Sequence, residues 1–205
     1  GDIQSAMRGT STVRVEVERD TGDAVTFRSL DKHPQWILER DVLVVALQYP
    51  ERVGIERAGE IVACHFDNPA LSAVRTAMVG AFASFATPNW VSSIIDGVDE
   101  SLRSLVGELA TVSIPVKIVS TPPPANESPG SAAKRIADDA ARTEAGIAQY
   151  VLNLTTALLE SDIARQRTEL IGVLQRTPED SSDFAAIQRR IAVLEDKRRS
   201  LQVVT

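Results

Sequence analysis

The chain has 205 residues, enough for one ordinary domain or two small ones, and 43% of them are hydrophobic, which allows a normal core. Aromatic residues make up only 4%, so aliphatic side chains supply most of the apolar mass, which favours helices. One cysteine and two histidines exclude a disulfide framework and a zinc finger. A net charge of −6 argues against strong non-specific binding of nucleic acid. Neither a membrane span nor a secretory signal is expected from the apolar pattern.

Charged residues are distributed unevenly. Residues 1–130 carry 11 basic and 17 acidic side chains, whereas residues 131–205 carry 11 of each. Dense mixed charge around an apolar stripe is typical of a long exposed helix or a helical hairpin. The sequence therefore predicts an all-α protein, in which a helical bundle is followed by a long helix that leads into an antiparallel C-terminal helical hairpin.

The N-terminal residues 1–35 leave two interpretations open. Residues 12–18 alternate as a half-buried strand does, residues 20–23 form a turn signal, and residues 24–27 can return as a second strand. An extended linker accounts for the same residues equally well, because an isolated two-stranded hairpin is only marginally stable.

The first helix is predicted over residues 34–48, where apolar side chains cover nearly the whole circumference. Such a helix is expected to be central, and Pro50 ends it. Residues 51–67 are expected to form a short helix or turn followed by an irregular stretch.

Further helix starts follow along the chain. Asn68 followed by Pro69 is an N-cap with proline at the first helical position, and Thr87 followed by Pro88 repeats that signal. Asp99 is the expected N-cap of a fourth helix. Residues 115–131, rich in proline, are predicted to be a spacer.

A long helix is predicted from Ser131, with no proline until Pro178, and Gly146 is a place where it could bend. Its first apolar stripe comprises Ile136, Ala140, Thr143, Ile147, Val151, Leu154 and Leu158. The next positions of that stripe are charged, at Asp162 and Arg165. The apolar set moves instead to Leu159, Ile163, Leu170 and Leu174. We therefore expect the helix to bury one face against the bundle and, beyond Leu158, to present another face to a new partner.

The new partner is predicted to be the next helix. Residues 177–182 form a loop that ends in a good N-cap. The seam that follows has heptad-like spacing and comprises Phe184, Ile187, Ile191, Leu194 and Leu201. A short loop between two such helices predicts an antiparallel hairpin. The expected division is a linker or small hairpin over 1–35, a bundle over 36–158 and a hairpin subdomain over 159–205.

The hairpin is also the candidate interaction surface. Two helices share only one seam, and the apolar positions left outside it, with arginines beside them, are typical of a docking element. A stabilising appendage or a homodimer seam are the alternatives. The candidate partner-binding residues are Val173, Arg176, Arg190, Leu194, Arg198, Val203 and Val204.

Sequence motifs for catalysis are absent: there is no P-loop, no dinucleotide fingerprint and no HExxH. Cys64 and His65 are adjacent, but a buried cysteine beside a satisfied histidine is the favoured interpretation. His33 is too remote to complete a metal site. The acidic residues Glu160, Asp162 and Glu169 alternate with arginines, which indicates solvated ion pairs. No catalytic residue, metal or cofactor is predicted.

A family resemblance appears in residues 39–50, ERDVLVVALQYP, and continues through HFDNP at 65–69 and the C-terminal run at 150–201. Over residues 36–205 the chain resembles the helicase-binding C-terminal domain of bacterial DNA primase of the DnaG type, especially the actinobacterial form.

The resemblance implies a non-catalytic interaction module with a helical bundle and a hairpin that docks on the hexameric replicative helicase. It recruits primase, a DNA-directed RNA polymerase whose catalytic domain is not in this chain, to the fork for primer synthesis. The acidic tail of single-stranded DNA-binding protein is a second implied partner. The implied location is the cytoplasm, with the nucleoid-associated replication machinery, without a membrane or strong direct nucleic-acid binding.

Two other hypotheses remain open. The N-terminal domain of a replicative helicase shares the bundle and the hairpin and assembles into rings. A small cysteine hydrolase that uses Cys64 belongs to a different class.

Overall fold

The computed structural model describes residues 26–203, which form eight α-helices joined by turns and loops, with no strand among them. The α-helices are α1 (Pro34–Gln48), α2 (Pro50–Val53), α3 (Ile55–Ala63), α4 (Pro69–Ala81), α5 (Trp90–Gly97), α6 (Glu100–Thr111), α7 (Pro129–Leu174) and α8 (Ser182–Val203). Short 3-10 helices lie at Phe27–Leu30 and Phe82–Ser84. The prediction of an all-α fold is confirmed, whereas the possible strand at residues 12–18 lies outside the described residues.

The first helix, α1, is the centre of the bundle, as its apolar circumference predicted. Val42 to Leu47 are all buried, and α1 packs against α4, α6 and α7. Trp90 of α5 lies in the same core, and its indole N–H donates to the Ala46 carbonyl at 3.0 Å. The helix ends before Pro50, whose missing N–H prevents its continuation.

Residues 51–67 contain more helix than the sequence pattern predicted. Gly54 has a φ of 75°, which separates α2 from α3 and which a residue with a side chain would adopt only under strain. Ala58 and Ile61 then form a buried stripe at helical spacing, so α3 is a second bundle helix. The expectation of an irregular stretch is therefore wrong for residues 55–63.

The helix starts agree with prediction to within two residues. Asn68 caps α4, because its Oδ1 accepts the N–H groups of Ala70 and Leu71. Thr87 closes a turn with Trp90, so α5 begins at Trp90, two residues after the predicted start at Pro88. Asp99 occupies the N-cap position of α6 without a side-chain capping bond.

Helix α7 is a single helix of 46 residues, about 69 Å long at 1.5 Å per residue. It begins at Pro129, two residues before the predicted Ser131, because Ser128 caps it and proline suits the first helical position. It continues through Gly146 without a break.

The start of α7 contacts the chain that precedes it on one side and is otherwise mostly exposed. Residues 112–128, here named the strap, lie along this part of the helix. The N–H and hydroxyl of Thr121 both donate to Asp139 at 2.7 Å, and these two bonds hold the pKa of that carboxyl below its usual value. The predicted stripe residue Ile136 is 60% exposed. The proline-rich segment is therefore more than a spacer.

The first stripe of α7 does not end at Leu158, which corrects the predicted change of face. Asp162 continues the stripe, and its side chain is buried although it is charged. Leu159 and Ile163 are buried in the same core. Between residues 158 and 163, α7 is therefore buried on more than one side. Over its whole length, α7 packs against α1, α2 and α3 of the bundle and against α8.

Candidate protein-interaction surface

The C-terminal hairpin is formed by α8 folding back on the end of α7. Ser181 starts α8, because its Oγ accepts the Asp183 N–H at 3.1 Å. Ile187 is buried in the seam between the two helices but is not part of the bundle core, whereas Leu201 belongs to that core. The predicted seam is thus confirmed, and its two ends have different surroundings.

One end of the hairpin is fixed to the bundle. Besides Leu201, Lys197 Nζ lies 3.3 Å from Glu60 Oε1 on α3. The other end, from Ile163 to the end of α7 at Leu174, extends about 17 Å at 1.5 Å per residue. The hairpin therefore presents its tip away from the contacts that hold its base.

The two sides of the hairpin that flank its seam differ in how their charged residues are paired. On one side, Arg167 Nε lies 2.6 Å from Glu195 Oε1, which bridges α7 and α8. Arg198 is 3.1 Å from the other oxygen of Glu195. This side is closed by ion pairs between the two helices.

The other side contains an open groove of about 230 Å³. This groove, here named the hairpin groove, is lined by Gln166, Leu170, Arg189, Arg190, Val193 and Leu194. Val193 is 65% exposed. The groove thus offers accessible apolar surface next to two cations.

The arginines of the groove differ from most others on the hairpin. Arg165, Arg167, Arg198 and Arg199 each pair with an acidic residue. Within residues 26–203, neither Arg189 nor Arg190 has such a partner. Their charge is therefore available to another molecule.

The predicted partner-binding residues do not all lie together. Arg190 and Leu194 line the groove, and Leu194 also packs against the core. Val173 is 42% exposed and lies two helical turns beyond Gln166, on the same edge of α7. Arg176 is exposed after the end of α7, and Arg198 is on the opposite, ion-paired side.

The C-terminal pair of candidates lies at the limit of the structure. Val203 is the last residue of α8, and Val204 lies outside the described residues. The sequence prediction did not place Gln166, Arg189 or Val193 at this surface. The exposure of Val193 could have been predicted from the sequence. It is an apolar residue next to the seam residue Leu194, and adjacent residues of a helix point about 100° apart, so Val193 lies outside the seam.

A second polar feature holds the bundle together. Residues 64–68, between α3 and α4, are held by two buried carboxylates, and we name this arrangement the polar clamp. Glu39 of α1 is fully buried and accepts the N–H groups of Asp67 at 2.7 Å and Asn68 at 3.1 Å. Burial raises the pKa of Glu39, although these backbone bonds partly oppose the rise. The ERD motif at 39–41 thus has a structural role at its glutamate.

Asp162 of α7 supplies the other half of the polar clamp. Its Oδ1 accepts the His65 N–H at 3.1 Å and a hydrogen bond from Arg165 at 2.6 Å, and its Oδ2 accepts one from Gln166 at 2.6 Å. Burial alone would raise the pKa of Asp162, but these hydrogen bonds outweigh burial and the pKa is lowered. The expectation of solvated ion pairs is therefore wrong for this residue.

The structure supports a structural role for Cys64. The thiol is 2% exposed and donates to the Glu60 carbonyl at 3.3 Å. Burial, with a contribution from the charge of Asp162, raises the pKa of Cys64 to about 12, so the thiolate nucleophile is disfavoured. The His65 ring is half-exposed and lies near Asp67, without a hydrogen bond to the thiol. This geometry does not support a cysteine hydrolase.

Residues 26–203 contain neither a candidate metal centre nor a candidate membrane span. No group of three histidine, cysteine, aspartate or glutamate side chains in this range is placed to hold a metal ion. No helix among these residues combines the length and the apolar character needed to cross a bilayer.

The fold is all-helical within residues 26–203, a bundle followed by a long helix and a terminal hairpin. Among solved structures, the chain is similar to the helicase-binding domain of primase from Mycobacterium tuberculosis, with a TM-score of 0.55 and 23% sequence identity. The match covers 81% of this chain and 90% of that domain. No protein-family model and no curated protein matches the sequence. The resemblance inferred from the sequence is thus confirmed at the level of the fold.

Proposed function

We propose that this chain is the helicase-binding module of a bacterial primase and recruits primase to the replicative helicase hexamer for primer synthesis. The observation that carries the proposal is the match to the mycobacterial primase domain over most of both chains. The HFDNP motif at 65–69, one of the stretches on which the family resemblance rests, forms part of the polar clamp in this fold.

The hairpin is the part of the molecule that we propose contacts the helicase. Its base is anchored by Leu201 and Lys197. Val173 is exposed near its tip, and Val193 is exposed in the middle of α8. Arginine is enriched at protein interfaces, and the core of an interface is more apolar than its rim. The proposed place of action is the replication machinery of the bacterial cytoplasm.

Neither of the other implied roles is proposed. The solved structure that matches is a primase domain, so the N-terminal domain of a helicase is not favoured. An acidic tail of single-stranded DNA-binding protein needs a cluster of free cations on the bundle. Arg40 pairs with Asp31 and Asp41, and Arg57 pairs with Glu60. The exposed Arg103 and Lys134, which have no acidic partner within residues 26–203, lie on different helices.

Calorimetry with the replicative helicase of the same bacterium tests the proposal. We expect the intact chain to bind, and Val173→Asp to weaken binding at least about tenfold because it places a charge in an apolar contact. Val79→Asp is the matched control, because Val79 is 53% exposed but lies on α4 of the bundle. It should leave the affinity unchanged.

Two results would contradict the proposal. One is the absence of binding by the intact chain, and the other is a ring-sized assembly of the chain alone, which would indicate a helicase domain. A truncation before α8 is a poor test, because it also removes Leu201 from the core.

A further inference from the structure

The hairpin groove has a specific chemistry that points to one kind of partner segment. We propose that it receives an acidic segment of the helicase, with an apolar side chain seated between Leu170 and Val193 and carboxylates paired with Arg189 and Arg190. This inference rests on the proposed function and adds to it which side of the hairpin docks and the sign of the partner's charge.

The charges around the groove leave a net positive surface. Glu169, the nearest acidic residue of α7 in sequence, is engaged by Arg165 at 2.8 Å. Asp162 is buried and already accepts hydrogen bonds from Gln166 and Arg165. The positive charges of Arg189 and Arg190 are therefore not neutralised by neighbours in residues 26–203, and a carboxylate is their natural complement.

The groove is held in shape before any partner binds. Its Gln166 side is fixed by the 2.6 Å bond to Asp162, which also holds residue 65 of the bundle. The opposite side of the hairpin is held by the ion pair of Arg167 with Glu195. A preformed surface on two packed helices costs little ordering entropy when a partner binds.

A protein segment fits the groove better than nucleic acid does. Binding of single-stranded nucleic acid uses a basic track with aromatic side chains on which bases stack. The groove has two arginines, no aromatic residue and an aliphatic lining, and the whole chain has a net charge of −6. An apolar surface beside arginine agrees with a protein interface, in which the core is more apolar than the rim and arginine is enriched.

Charge reversal inside and outside the hairpin groove tests the inference by calorimetry with the helicase. The groove variant is Arg189→Glu with Arg190→Glu, and the matched control is Arg199→Glu on the ion-paired side with Arg103→Glu on α6 of the bundle, both at exposed positions. We expect the groove variant to weaken binding at least about thirtyfold, and the control to change it less than about threefold. Circular dichroism checks that both remain helical.

The salt dependence of the affinity for the helicase is a second test, and it does not depend on the control variant. The affinity of the intact chain should fall as salt rises from about 50 to about 500 mM, since exposed charges are screened, and the groove variant should show a flatter dependence. Val193→Ser, at an exposed position, should also weaken binding at constant charge, because an apolar contact is lost.

The outcomes separate the two proposals. Failure of the intact chain to bind helicase overturns both. Normal binding by the groove variant, or equal losses in groove and control variants, overturns only the groove inference. Displacement of helicase by a single-stranded oligonucleotide of about 20 bases, with the same dependence on Arg189 and Arg190, also overturns it and assigns the groove to nucleic acid.

Discussion

The polar clamp and the hairpin groove both place ionisable side chains against apolar surface. Those of the clamp are buried and hydrogen-bonded within the protein, whereas those of the groove are exposed and have no acidic partner. In the clamp, Glu39 and Asp162 are buried and their oxygens accept hydrogen bonds from the backbone of residues 65–68. In the groove, Arg189 and Arg190 remain exposed and have no acidic partner within residues 26–203. Hydrogen bonds that satisfy buried groups contribute to stability, whereas exposed charge without a partner in the protein is available for binding.

This difference predicts different costs of substitution. Removing a clamp carboxylate leaves buried N–H groups without acceptors, which costs about 1–3 kcal/mol for each group. Removing a groove arginine leaves only solvent-exposed surface, where substitutions usually change stability by less than about 0.5 kcal/mol. Substitutions in the polar clamp should therefore lower the free energy of unfolding, and substitutions in the hairpin groove should lower the affinity for the partner.

The largest expected effect is that of Glu39→Ala. The change deprives the Asp67 and Asn68 N–H groups of their acceptor, and it leaves a cavity in a fully buried site. We expect a loss of about 3 kcal/mol in the free energy of unfolding, measured by urea denaturation. Affinity for the helicase should be retained under conditions in which the variant is folded.

The control for this prediction is Glu51→Ala, at an exposed position of α2, which should change stability by less than about 0.5 kcal/mol. The groove variant with Arg189→Glu and Arg190→Glu should behave like this control in urea. Similar losses at Glu39 and in the groove would remove the distinction between the two regions.

A smaller effect, with a defined pH dependence, is expected for Asp162→Asn. Because the folded-state pKa of Asp162 is lowered, its charged form stabilises the fold above the unfolded value of about 3.9, and this contribution is lost as pH falls through the folded pKa. The variant should therefore be less stable by about 2 kcal/mol at about pH 7 and by clearly less at about pH 3. Urea midpoints of both proteins at the two pH values measure this.

The pH dependence of stability expected from Glu39 has the opposite sign to that expected from Asp162. Its pKa is raised, so the part of the stability that is linked to its protonation is fully present below the unfolded value of about 4.3 and is lost as pH rises through the folded pKa. Its oxygens remain acceptors for the Asp67 and Asn68 N–H groups in either protonation state. The pH dependence at Asp162 must therefore be compared between proteins that both retain Glu39. A stability difference that is the same at neutral and at acidic pH would show that the Asp162 charge does not stabilise the fold.

The regular parts of the fold were predictable because their signals are local. The apolar circumference of α1, the cap at Asn68 and the seam from Phe184 to Leu201 each depend on residues close in sequence. The polar clamp was not predictable in this way. A buried aspartate at position 162 resembles a solvated one, and only the approach of residue 65, 97 positions away, gives it a partner.

The candidate interaction surface was also only partly predictable from local sequence signals. The apolar residues outside the seam indicated that the hairpin has open sides, and two of the predicted residues, Arg190 and Leu194, line the groove. Which side is open depends on ion pairing across the hairpin. Arg167 of α7 pairs with Glu195 of α8, and periodicity alone does not distinguish this from a solvated pair.

The smallest expected effect compares two glycines of α7, one covered and one open. A methyl group added at Gly172, in the hairpin, would meet no atom within 4 Å, whereas at Gly146 it would lie 3.3 Å from Val116 Cγ1 of the strap. Gly172→Ala should stabilise the protein by up to about 1 kcal/mol through helix propensity. Gly146→Ala should give a smaller gain or none, because the strap must shift, and equal thermal midpoints would show that the strap does not pack closely on α7.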